Sequence, residues 1–369
     1  MSMPDDAIAI ACRFAVRGSA VAATPFHGGH IHESYRVSCR AGDRTIDYLL
    51  QRINTTVFRR PEQVMDNIQR VTTHIAGRLR AQGTKDIERR VLTLIPTHTN
   101  EAFHRDASGA YWRLYEFIGN SRTCEAVRTA EQAEQAGRIF GRFQSLLSDW
   151  TAPRLHETSP RFHDTPMRFE ALEQAINADT CGRVAVQRTE IELLLKHRPL
   201  AGALLELHRN GAIPERIVHN DAKTANILFD AATDEALCVV DLDTVMPGLS
   251  LYDFGDMVRS MTCIAAEDEP DLSKVSVELP LFEALARGYL DTADAFLTAA
   301  ERDYLVFAGK LIILEQAVRF LTDYLNGDCY YRTTRPGQNL DRCRNQLKLL
   351  DSLMRQEPRM EQIIRRMAR

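Results

Sequence analysis

The chain has 369 residues, a net charge of -4, 44% hydrophobic and 26% charged residues. That is the composition of a soluble globular protein, of a length that fits two packed lobes rather than one small core. The slightly acidic balance offers no general attraction to nucleic acid.

Eight cysteines run from Cys12 to Cys343 with no Cys-x-x-Cys pair, a pattern of reduced cytoplasmic thiols rather than a disulfide or zinc framework. The N-terminus is acidic at Asp5 and Asp6 and lacks the basic region of a signal peptide. No apolar stretch approaches the roughly 20 residues of a membrane helix. The arginines near the end, such as Arg355, Arg365 and Arg366, read as the solvated face of a terminal helix. No membrane, nucleic-acid or obligate protein partner is expected.

In chain order, the first third reads as β-rich. Strands are expected at 21–26, 34–39 and 48–53, around Gly28-Gly29. Pro61 starts a helix to about Arg80, where its fixed φ and missing N–H suit the first turn. Strands at 91–95 and 111–118 would complete a sheet of about five, and Gly119-Asn120-Ser121 breaks the pattern. Beyond it the chain is mainly helical. Helices are expected at 130–147, 191–209, 281–290, 299–325 and 340–354, from apolar residues at helical spacing. A small β-rich lobe at 1–118 and a larger helical lobe at 119–369 make an α+β, protein-kinase-like architecture, with the ATP site expected in the cleft.

Three polar residues carry the chemistry. Asp221 and Asn226, in His219-Asn220-Asp221-Ala222-Lys223-Thr224-Ala225-Asn226, have the spacing of the catalytic loop of protein kinases. Asp241 ends the apolar run 237–240. Alone, Asp221 would read as a loop residue capping the next helix; the joint spacing favours phosphoryl transfer. Such transfer needs an orienter for the attacking hydroxyl and oxygen ligands that hold Mg2+ on the phosphates. Asp221 would be the base or orienter, and Asn226 and Asp241 the Mg2+ ligands. Lys223 either neutralises charge on the transferring group or is a plain surface lysine. The string Asp253-Phe254-Gly255 lies too far from Asp221 for a metal site. Asp253 or Asp256 should instead brace the catalytic loop from a following helix.

The loop 26–33 joins two strands, and its Gly28 and Gly29 would let backbone approach the phosphates of ATP. Gly-Gly is equally an ordinary hairpin turn. His30, His32 and Glu33 of that loop could reach a polar substrate. Glu116, Phe117 and Ile118 end the last strand of the small lobe, where backbone groups could bond the adenine edge.

With these residues the chain resembles the aminoglycoside phosphotransferase and choline kinase superfamily, and within it the N-acetylhexosamine 1-kinase group. The resemblance rests on Gly29-His30-Ile31, Tyr48-Leu49-Leu50-Gln51-Arg52-Ile53-Asn54, Phe162-His163-Asp164-Thr165-Pro166, the Asp221 loop, Asp241-Leu242-Asp243-Thr244-Val245-Met246-Pro247-Gly248, and Arg319-Phe320-Leu321-Thr322-Asp323-Tyr324-Leu325. It spans about residues 20–350 and implies ATP-dependent phosphorylation of a hexosamine at its anomeric oxygen. It also implies that Arg319 and Tyr330 bind the sugar. A helix-surface ladder of Glu315, Arg319 and Asp323 at i, i+4, i+8 would explain Arg319 without function. Where kinases carry a phosphate-gripping lysine, this chain has Gln51 beside Arg52. Strand alternation puts the two on opposite faces, so either one serves. The alternatives are a kinase of another hydroxyl compound, such as an aminoglycoside or amino alcohol, and a non-catalytic nucleotide-binding protein.

Overall fold

The computed structural model describes residues 4–27 and 31–367. These form two compact units. The first takes the described residues up to Thr123 together with Trp150–Ser159 and Ile227–Met246. The second takes Cys124–Asp149, Pro160–Asn226 and the chain from Pro247.

The first unit is built on an antiparallel sheet of β1 (Ser19–Pro25), β2 (Glu33–Ala41), β3 (Arg44–Arg52), β4 (His104–Arg105) and β5 (Tyr111–Glu116), in the order β1-β2-β3-β5-β4. Alternation sorts its two faces. Tyr35, Val37, Tyr48, Leu50, Trp112 and Leu114 face a core closed by Ala7, Ala11 and Phe14. On the opposite face Ser34, Gln51 and Arg113 stand in one row, because the register pairs Ser34 with Gln51 and Gln51 with Arg113.

The five-strand count matches the expectation, but the segment at 91–95 is not one of the strands. It makes a single bridge, Leu94 to Tyr115, with Ile95 N–H donating to the Leu114 carbonyl. Pro96 has no N–H with which to continue the ladder, and the fifth strand is His104–Arg105. The helix Pro61–Ala81 starts at its proline as expected and buries Val64, Met65, Ile68, Val71 and Ile75. A small sheet of Ser121–Arg122, Ile227–Asp230 and Ala236–Val239 leads into Asp241.

The second unit is helical around Leu305–Leu325, which is buried on most sides. It packs on Thr165–Ala178, Ser250–Met261 and Gln338–Met367. Helices Ala130–Leu147 and Leu279–Ala293 form the closest pair. A Cβ on Gly137 would meet the Leu285 carbonyl, and one on Gly288 would meet that of Glu134. Glycine therefore sets this spacing. The expected helix 191–209 is instead two, Arg188–His197 and Ala203–Arg209, separated at Pro199 and Gly202. The expected helix 299–325 breaks at Tyr304, and the last helix runs well past 354 with Pro358 inside it. All eight cysteines are free thiols. No helix among the described residues is long and apolar enough to cross a membrane.

Candidate active site

In the second unit, the strand Arg216–Val218 delivers the chain to Asp221. Arg216 anchors it, donating to Glu301 at 2.7 and 2.8 Å and to the Phe296 carbonyl at 2.6 Å. The chain then turns at Asn220, whose φ of 65° lies in the left-handed region, a conformation asparagine tolerates better than most residues. Asp253 holds this turn from helix Ser250–Met261. It is fully buried and accepts from His219 N–H at 2.9 Å, Asn220 N–H at 2.7 Å and Gln144 Nε2 at 2.7 Å. Burial pushes the Asp253 carboxyl up despite these bonds. Asp253 thus braces the loop, as the spacing led one to expect; Asp256 instead pairs with Arg259.

Asp221 does not cap a helix with its side chain. Its Oδ2 accepts from Lys223 Nζ at 2.8 Å and from Asn226 Nδ2 at 2.9 Å. Burial works against its charge, but the Lys223 ammonium, His219 and Asn226 outweigh it and hold the carboxyl below the ordinary value. An ionised carboxylate only accepts. The NH2 end of Asn226 therefore faces Asp221, and the amide oxygen is the end that can serve a cation.

A second brace lies behind the loop. His163 Nε2–H donates to the Asn220 carbonyl at 3.1 Å, and His163 Nδ1 meets Glu315 Oε1 at 2.9 Å. Thr165 donates to Glu315 Oε2 at 2.7 Å. Burial opposes the Glu315 charge, yet His163 and Arg319 keep its carboxyl below the usual range. The surface ladder that would explain Arg319 without function does not form among the described residues. Glu315 turns to His163, while Asp323 accepts the N–H groups of Cys329, Tyr330 and Tyr331.

In the first unit, Asp241 occupies the left-handed region at φ 59° and starts the turn Leu242–Thr244 without capping it. Such a conformation in a non-glycine residue marks a position worth functional attention. The turn is held from several sides. Thr158 donates to the Asp243 carbonyl at 3.0 Å, and Asn67 of helix Pro61–Ala81 donates to that of Val245 at 3.0 Å.

The Asp243 side chain takes a two-pronged grip from Arg113, at 2.6 and 2.7 Å, with both residues buried. Burial disfavours both charges, but each outweighs the penalty on the other, holding Asp243 far below and Arg113 above their ordinary values. Arg113 Nε reaches Gln51 Oε1 at 3.0 Å, and Gln51 Nε2 reaches Ser34 at 3.1 Å.

The choice between Gln51 and Arg52 thus has a structural side. Gln51 lies in the row facing Asp243, while Arg52 is exposed beside Glu33. His32 differs from its expectation as a substrate contact. Its ring is buried, stacks on Phe58, accepts the Asn54 N–H at Nδ1 and turns Nε2 to Asp243 at 3.3 Å. His32, Asp241 and Asp243 cluster closely enough to suggest a metal site. However, Nδ1 is used, Nε2 must then carry the proton, and Asp243 is committed to Arg113. Asp241 is the member of the three that fits an oxygen-seeking Mg2+.

Gly28, Gly29 and His30 lie outside the described residues. Glu116 and Phe117 spend their N–H groups on the carbonyls of Thr93 and Asp47, and the Ile118 carbonyl accepts from Ser121. Arg319 and Tyr330 come together in the second unit, lining a cavity of about 180 Å³ with Arg168 and Tyr331. Sequence reasoning missed Arg113, Arg168, His163 and Glu315. A charged residue inside an apolar strand, Arg113 in Tyr-Trp-Arg-Leu-Tyr, was the available signal for the first of them.

Residues 22–290 match the family model of the APH phosphotransferase enzyme family, and the chain belongs to that family. It is a small-molecule phosphotransferase with the protein-kinase-like α+β fold. Solved structures agree on the fold. A microcompartment-associated aminopropanol kinase is similar at 17% identity and a TM-score of 0.58, with 97% of this chain and 98% of that one covered. An aminoglycoside phosphotransferase from Alicyclobacillus acidocaldarius matches at 13% and 0.58, covering 99% and 97%. A choline/ethanolamine kinase family protein from Mesorhizobium loti matches at 16% and 0.54, covering 98% and 99%.

Proposed function

We propose that this chain transfers the γ-phosphoryl group of ATP to the anomeric hydroxyl of an N-acetylhexosamine, giving the sugar 1-phosphate. The observation that carries the phosphotransferase chemistry is the Asp221 loop: an ionised carboxylate fixed by Lys223 and Asn226 and braced by Asp253 and His163. Because Asp221 is held below the ordinary carboxylate value, it is a poor proton acceptor in the ground state. Its first task is to orient the sugar hydroxyl; as the oxygen bonds to phosphorus and the bond to the leaving ADP breaks, the hydroxyl proton passes to the Asp221 carboxylate. Lys223 keeps that carboxylate charged and offsets charge gathering on the transferred group. Bound Mg2+, held by Asp241 and the Asn226 oxygen, would shield the charge of the phosphates. Arg113 and Gln51 fix the turn that carries Asp241. The sugar assignment rests on the resemblance around Asp241–Gly248 and on Arg319 and Tyr330 lining one cavity.

The rival reading is a cationic acceptor, such as an amino alcohol. It would need free acids, and the acidic loop at Glu267–Asp271 does not offer them. Arg259 holds Glu267 at 2.5 Å, Gln338 donates to Asp268 at 2.8 Å, and Lys274 lies between Glu269 and Asp271. Assaying ADP release over a panel of free sugars and amino alcohols separates the two. Turnover confined to hexosamines supports the first reading, and good turnover of an amino alcohol with none of any sugar retires it.

A further inference from the structure

The cavity that joins Arg319 and Tyr330 contains a second guanidinium, and the two are not balanced. Among the described residues neither Arg168 nor Arg319 forms an ion pair. Arg168 donates to the Phe162 carbonyl at 2.6 Å, while its buried Nε has no acceptor. Arg319 donates to Gln316 at 3.2 Å and lies against the Phe162 and Tyr331 rings, at 5.3 and 5.7 Å.

Two acids stand nearby, and both are occupied. Asp323 lines the cavity but already accepts four hydrogen bonds, three from backbone N–H groups and one from Asn339 at 2.9 Å. Glu315 is taken by His163 and Thr165. Burial, and then the charge of Arg319, hold Arg168 below the ordinary arginine value, whereas burial of Arg319 is outweighed by Tyr331 and Glu315, which hold it above, so the poorly compensated charge is chiefly that of Arg168.

Two half-buried cations sharing about 180 Å³ are costly unless something supplies the opposite charge. The guanidinium fork suits a planar or tetrahedral oxyanion. A water occupies about 30 Å³ of liquid, so the space holds several waters and is ample for a charged substituent of a sugar. An ammonium group would meet like charge.

We propose that this cavity is an oxyanion subsite: the sugar acceptor carries a carboxylate or phosphate substituent that Arg168 and Arg319 bind, with Tyr330 closing on it. This rests on reading Arg319 and Tyr330 as substrate residues and adds the charge class of the substrate.

The test is calorimetric titration of the full chain, without nucleotide, with N-acetylglucosamine, its 6-carboxylate and its 6-phosphate. Charge-assisted hydrogen bonds predict that at least one anionic sugar binds about tenfold to a hundredfold tighter than the neutral one, and which one does so separates carboxylate from phosphate. Arg168→Met should bring the preference to within about threefold, and Arg168→Lys should keep part of it. Arg168→Gln replaces the methionine variant should that one melt early. Equal binding of all three sugars, no binding of any, or a preference that survives loss of Arg168 overturns the subsite. ADP release judges the kinase reading separately. Turnover of neutral sugars without charge preference ends the subsite and leaves the sugar kinase. A charge preference in binding without turnover keeps the subsite and retires the sugar kinase.

Discussion

Asp221 is more useful as a fixed charge than as a strong base, and its neighbours explain why. Lys223 is the largest of the influences that lower its proton affinity. In Lys223→Met the carboxyl must rise, and a carboxylate that must be ionised then fails at higher pH. The acid limb of the kcat/KM profile is expected to move up the pH scale; an unmoved limb removes Lys223 from the electrostatics of the site. Asp221→Asn should cost about 10²–10⁴ in kcat, the usual contribution of such a group, with nucleotide affinity within a few-fold of the wild type. Turnover near the wild-type value would take Asp221 out of the mechanism. The aspartates 241 and 253 should separate cleanly. Asp241→Ala is expected to abolish the Mg2+ dependence of nucleotide binding, measured by titration. Asp253→Asn should keep that dependence while lowering the melting temperature, since it weakens the acceptor for two buried N–H groups. At this scale the sequence was legible where spacing is local: Asp221 and Asn226, five residues apart, meet within one loop. It was not legible where a partner comes from far away, as with Glu315, which lies 152 positions from His163.

The elements that position these residues are set by backbone chemistry that is only partly local. Pro61 opens its helix and Thr129 caps the next, accepting from Gln132 N–H, and both ends can be read from the sequence. The break at Pro199 and Gly202 follows from residues that cannot sustain a helix, yet the apolar spacing from Ile191 to Arg209 runs through it and hides it. The 91–95 segment shows the converse: apolar and strand-like, it makes one bridge because Pro96 cannot donate. Gln51 and Arg113 show how a sheet moves a charge between strands. The register sets them side by side, so an arginine on β5 stands next to the neutral residue of β3. Removing one partner of a buried ion pair costs about 3–5 kcal/mol. Arg113→Met should therefore lower unfolding stability by that order in urea, and Arg113→Lys should not restore it, because an ammonium lacks the two-pronged geometry. Near-wild-type stability in Arg113→Met would mean that the turn carrying Asp241 is held by Asn67 and Thr158 without it.

At the scale of the molecule, the family match and the residues proposed for acceptor specificity occupy different parts of the chain. The match ends at residue 290, after the Asp221 loop and Asp241. Arg319 and Tyr330 lie beyond it, on the helix Leu305–Leu325 and on the loop that Asp323 pins. The reaction class is therefore written in the shared segment, while the residues proposed to recognise the acceptor lie outside it. The α+β kinase-like class was readable because a β-rich third and a helical remainder flank a spaced motif. That Trp150–Ser159 and Ile227–Met246 pack with the first unit was not, since nothing local marks a segment that returns from the middle of the chain. The central claim concerns the oxygen that receives phosphate. The most direct test is phosphorus–proton coupling in the NMR spectrum of the product made from ATP and an N-acetylhexosamine that carries no phosphate of its own. The account predicts coupling of phosphorus to the anomeric proton, the mark of a 1-phosphate. Coupling to the two C6 protons, the mark of a 6-phosphate, would contradict it.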